Sequence, residues 1–154
     1  MQFLKLKSLL AVLENSIKGG DNYLFRNLYF KNDNGEVVDI LEDGGNSCAV
    51  FVSWILLAFE LIKTSHATVA STIKDLELSG WYEIKEPRPG AVIAWESLEG
   101  GGGKMHSHIG FYIGDSMAVS NDSRGRGFPH KHHWTYNDSR KVEKIYWHPG
   151  LDNG

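Results

Sequence analysis

The chain is poor in the residues that staple or stiffen a fold: it has 1 cysteine and 4 prolines among 154 residues. A single cysteine cannot close an internal disulfide, so stability has to come from a buried core and its hydrogen bonds. No apolar run approaches the roughly 18 residues of a membrane-spanning helix. The longest begins at Cys48, is interrupted by Ser53 and ends at Glu60. Excess positive charge is missing too. The net charge is −3, which argues against a broad nucleic-acid surface. Repeats and linker-like stretches are absent, so one domain over residues 1–154 is expected.

What is present is an ordinary globular composition, 42% hydrophobic and 23% charged. Lys5 and Lys7 precede Leu9-Leu10-Ala11-Val12-Leu13, but that apolar stretch is too short for a signal peptide. Leu6, Leu9, Leu10, Leu13 and Ile17 instead recur at helical spacing, with Gly19-Gly20 as a stop. Asn32-Asp33-Asn34-Gly35 is a hairpin turn between an aromatic-rich segment and Glu36 to Leu41. Residues 1–42 thus predict a helix and a hairpin. The remaining residues, 43–154, predict the functional core.

That core starts with a turn, Asp43 to Ser47, followed by Cys48 to Ile62, apolar on nearly every side. Such a helix belongs in the centre of a domain, with Asn46 or Ser47 as its cap. A second helix is expected after Ser65 or Thr68, with Val69, Ile73 and Leu76 inward. From Trp81 the period changes. Strands are expected at Ala91 to Trp95, His108 to Ile113, Met117 to Ser120 and Val142 to Trp147. Four glycines, Gly100 to Gly103, form a flexible loop immediately before the His108 strand, and Ser123 to His130 reads as a loop. Helices first and an antiparallel sheet afterwards make an α+β fold.

The chemistry-bearing residues are Cys48 and His108. Cys48 falls where the Gly44 to Ser47 turn meets the apolar run, at the first turn of a buried helix. Free N–H groups and the helix dipole favour a thiolate there, so a lowered thiol pKa is expected. An imidazole within reach would take and return the proton, and a third polar group would orient the ring. Alternation puts His108, Gly110 and Tyr112 on one face and Ile109, Phe111 and Ile113 on the core face. His106 shares the face of His108 and competes with it. The plain alternatives are an inert core thiol and a structural strand histidine.

Three motifs resemble the NlpC-type cell-wall peptidases, relatives of the CHAP amidases. Ser47-Cys48-Ala49-Val50-Phe51-Val52 is similar to their nucleophile motif, and Pro89-Gly90-Ala91-Val92-Ile93-Ala94-Trp95 to the strand opening after it. His108-Ile109-Gly110-Phe111-Tyr112-Ile113-Gly114 is similar to their histidine strand. Ser47, Val50 and Ala91 differ from the family's Asp, Gly and Asp. The resemblance implies a papain-like α+β fold with the nucleophile helix packed on the sheet. It also implies a cysteine hydrolase of peptide or amide bonds in peptidoglycan stem peptides, with no cofactor or metal. Cys48 would be the nucleophile, His108 the base, and a residue on the following strand the third member. Asn121 is the best match there, with Ser120 and Asp122 as alternatives and turn chemistry as a rival role for Asn121.

His130, His132 and His133, together with His106 or His148, are candidate zinc ligands, though no second cysteine or helical His pair supports them. The better reading is a cleft-rim loop in which Arg124 and Arg126 recognise substrate carboxylates. Other functions stay open: a non-hydrolytic binding module on the same fold, a transferase, deamidase or protease acting on proteins, or a metal-binding protein.

Overall fold

A computed structural model of the chain describes residues 1–121 and 126–152. Helix α1 (Lys5–Ser16) follows the leucine spacing and buries Leu9 and Leu13. Strands β1 (Tyr29–Lys31) and β2 (Val37–Asp39) form the expected antiparallel hairpin, Tyr29 opposite Asp39. Asn32 closes its turn, accepting from the Gly35 amide at 2.9 Å through its backbone carbonyl. The Asp39 carboxylate accepts from the amides of Leu28, Leu41 and Asp43 and from the Asn27 side chain. Burial works against its ionisation, but these four donors prevail and lower its pKa to about 2. The carboxylate so fixes the approach to Cys48.

Helix α2 (Cys48–Ala58) is buried over most of its surface. It stops where Glu60 takes a left-handed φ of 55°. Ser47 occupies the cap position but makes no capping bond. Its hydroxyl donates to the Gly44 carbonyl at 2.7 Å instead, which corrects the expected cap. Helix α3 (Val69–Leu78) has the expected cap in Thr68, whose hydroxyl accepts from the Ser71 amide at 3.2 Å. Asp75 on α3 gathers the amides of Lys63 and Thr64, the His66 imidazole and the Ser79 hydroxyl. Burial again opposes ionisation, yet these donors lower its pKa to about 2.

The remaining strands are β3 (Tyr82–Glu83), β4 (Val92–Glu99), β5 (Met105–Gly114), β6 (Met117–Asn121), β7 (Pro129–His133) and β8 (Val142–Trp147). They form one antiparallel sheet in the order β3-β8-β4-β5-β6-β7. The α+β expectation therefore holds. Strand β7 corrects the sequence reading, which had a loop here. Its residues, Pro-His-Lys-His-His, carry no apolar alternation because β7 is an edge strand whose pairing with β6 comes from the backbone.

The sheet has two unlike faces. On one, Ile109, Phe111 and Val119 meet α2, with the Phe51 and Phe111 rings edge to face at 5.9 Å. Leu9 and Leu13 of α1 join this same core. On the other face a small cluster of Ile93, Trp95 and Ala118 is covered by Tyr112, Trp134, Tyr136 and Val142. Among the described residues no helix is long and apolar enough to cross a membrane.

Candidate active site

Cys48 opens α2, and because Ser47 does not cap the helix, its first N–H groups are left to face the thiol. The thiol is only 6% exposed. It lies against β5, with Sγ 4.0 Å from the Ser107 carbonyl and the Ile109 amide directed at it. The sulfur thus touches the strand on both sides of His108. It also lines a cleft of about 420 Å³ between the N-termini of α2 and α3 and the start of β5, with Ala67, Val69, Met105, His106 and Ser107. That volume suits a small peptide segment. His106, the competitor of His108, belongs to this cleft wall.

The thiol pKa departs from expectation. Burial pushes it up, against the amides of Ile109 and Ala49, the Arg140 charge and the Cys48 amide. Desolvation of an anion outweighs the helix terminus here, so the resting group is a neutral thiol rather than the expected thiolate. Arg140 is itself buried. It donates through Nε and Nη2 to the Glu96 carbonyl at 3.0 and 2.9 Å, and through Nη2 to the His106 carbonyl at 2.8 Å. The sequence reading passed over this residue. A lone arginine between Ser139 and Lys141 gives no pattern that would single it out.

His108 is 1% exposed, and its ring leaves β5 on the face opposite α2, over Trp95 at 5.2 Å. Its Nε2 lies 2.9 Å from the Ser120 hydroxyl. Asn121, the expected orienting residue, turns the other way and donates its side-chain amide to the Ser47 hydroxyl. Strand parity explains the difference. Phe111 pairs with Val119, so Ser120 shares the face of Gly110 and His108, and Asn121 shares that of Ile109. Gly110 permits the close approach. A Cβ there would sit 2.7 Å from the Val119 carbonyl oxygen and 2.8 Å from the Ser120 Cβ. The third option, Asp122, lies outside the described residues, as does Arg124.

Ser120 is shared. Besides His108 it meets His132 Nε2 at 2.8 Å and the Tyr136 hydroxyl at 3.2 Å. The histidine tract is therefore split: His132 turns to Ser120, while His133 Nδ1 accepts from the Thr135 amide at 3.2 Å. Among the described residues no group of three His, Cys, Asp or Glu side chains is arranged to hold a metal ion. The Arg126 carbonyl accepts from Arg26 at 2.9 Å. Next to it, Gly127 packs so closely on Gly44 that a Cβ on Gly44 would fall 2.3 Å from the Gly127 Cα. The described end of the arginine loop therefore rests on the turn leading to Cys48. No family model matches the chain, and no curated protein matches it significantly.

Proposed function

We propose that the chain is a cysteine hydrolase of peptide or amide bonds, built on a papain-like fold of the NlpC type and acting on peptidoglycan stem peptides. The observation that carries this reading is the seat of Cys48. The thiol opens a helix, lines a cleft and lies against the strand segment that bears His108. The three sequence motifs add the substrate class.

The reaction starts from the neutral thiol. In this reading Ser120 holds Nε2 of His108 and Nδ1 takes the Cys48 proton as Sγ attacks the scissile carbonyl, a step that requires the ring, seated on the face of β5 away from α2, to reach the sulfur around the start of the strand. The Cys48 amide faces the developing oxyanion, and the buried Arg140 charge favours both the thiolate and the anion. As the C–N bond breaks, the imidazolium returns its proton to the leaving amine, leaving a thioester on Cys48. Water then attacks the thioester, giving up a proton to His108, and the acid product departs with the thiol restored. In this scheme Ser120, not Asn121, orients the ring. Asn121 supports the turn before the nucleophile through Ser47. Arg126, beside that turn, is the described residue suited to a substrate carboxylate.

The test is release of new amino groups from purified peptidoglycan by wild type and Cys48→Ala. Release by wild type alone supports the proposal. Absence of release from both proteins, with peptide still bound, favours a second reading. That reading is a binding module on the same fold, and the raised thiol pKa and the burial of Cys48 speak for it.

A further inference from the structure

With His132 uncharged, the hydrogen bonds beneath His108 have one consistent direction, and it originates at the backbone of β7. His132 Nδ1 lies 2.8 Å from the His133 carbonyl oxygen, which can only accept. Nδ1 therefore carries the proton of the neutral ring, and Nε2 keeps its lone pair. The Ser120 hydroxyl, 2.8 Å from that lone pair, donates its single proton to it. Its two remaining acceptor positions take the His108 Nε2–H at 2.9 Å and the Tyr136 hydroxyl at 3.2 Å. Every donor and acceptor position of Ser120 is then used once.

We infer that His132 is a positioning residue which, through Ser120, fixes the tautomer of His108 as Nε2–H and so presents Nδ1 as the base. The inference rests on the cysteine-hydrolase reading for its use in catalysis. The chain of proton positions stands on the hydrogen bonds together with an uncharged His132. It starts at a backbone carbonyl of β7, whose direction no side-chain titration alters. The His132 ring is held on every side the relay needs. Tyr136 stacks on it at 4.0 Å, and Trp95 and His130 lie at 5.5 and 5.0 Å. A histidine on β7, separated by β6 from the strand that bears His108, thus sets the tautomer of the base through Ser120.

Without an acceptor at position 132, the Ser120 proton can turn to His108 Nε2, and the tautomer that places the proton on Nδ1 becomes populated. His132→Phe removes the acceptor. His132→Gln keeps an amide oxygen near the Nε2 position. The experiment is long-range ¹H–¹⁵N NMR of histidine-labelled protein near pH 8, with iodoacetamide alkylation of Cys48 followed in parallel. Wild type is expected to show His108 with a protonated Nε2 and a lone-pair Nδ1. His132→Phe is expected to show mixed tautomers and alkylation slowed on the order of 10-fold, the size of one neutral hydrogen bond. His132→Gln is expected to restore both towards wild type. A protonated Nδ1 on His108 in the wild-type protein overturns the inference, whatever His132→Phe does to folding. An Nε2–H His108 beside an inert Cys48 supports the relay while removing the hydrolase reading, so the two failures are distinguishable.

Discussion

The two faces of the sheet solve opposite problems. The α2 face is dry: Phe51, Phe111, Ile109 and their neighbours hold one another by shape, through many small contacts. The opposite face is small and polar, and its pieces are not interchangeable. His108, His132 and Tyr136 each meet the one Ser120 hydroxyl, beneath aromatic rings. Packing holds the first face together, and directed hydrogen bonds hold the second. Cys48 sits where they meet, on the apolar helix but against the strand that presents His108 to the other side.

Substitutions can break that division, starting with the helix face. Phe51→Ala should cost about 3–5 kcal/mol in chemical denaturation, because no neighbour can fill the space between Phe25 and Phe111. Asp75→Ala should cost about 3 kcal/mol by leaving the Lys63 and Thr64 amides and His66 without their acceptor. Asp75 and Asp39 also set the acid limb. Their folded pKa values of about 2 lie below the unfolded carboxylate range, so their stabilisation is complete above that range. It is lost as pH falls through about 2, and the melting temperature should drop in that window. In Asp75→Ala the drop should be shallower.

Gly110 is where β5 and β6 approach closely. Gly110→Ala should cost about 2 kcal/mol and separate β5 from β6, since its methyl group meets backbone at Val119. The His108–Ser120 bond should weaken with it, visible as a shifted His108 NMR signal. The smallest effect is expected on the polar face. Ser120→Ala should cost about 1 kcal/mol of stability yet reduce Cys48 alkylation as much as His132→Phe does. A large stability loss with unchanged alkylation would erase the contrast between the faces.

Much of the fold could be read from periodicity. The leucine stripe of α1, the Thr68 cap and the apolar continuity of α2 are local signals that the tertiary structure left in place. Strand β7 was illegible because an edge strand of His and Lys has no apolar pattern to show. At the site, Cys48 and His108 stood out by their motifs, but the choice between Ser120 and Asn121 depended on register. A one-residue difference on β6 moves a side chain to the other face, and only the pairing with β5 decides it. The direction of the thiol pKa escaped because the helix terminus is visible in a sequence and the depth of burial is not. Arg140 and the His132–Ser120 contact join segments far apart in the chain, and no local pattern announces such meetings.

The most direct test of the proposed pairing between Cys48 and His108 is the rate of Cys48 alkylation by iodoacetamide against pH, in wild type and His108→Ala. In wild type the rate should still be climbing above the ~8.5 of an ordinary thiol. Near pH 7 it should exceed that of His108→Ala, because the imidazole takes the proton as sulfur attacks. Equal rates in the two proteins across the whole range would contradict the account and leave Cys48 a structural thiol.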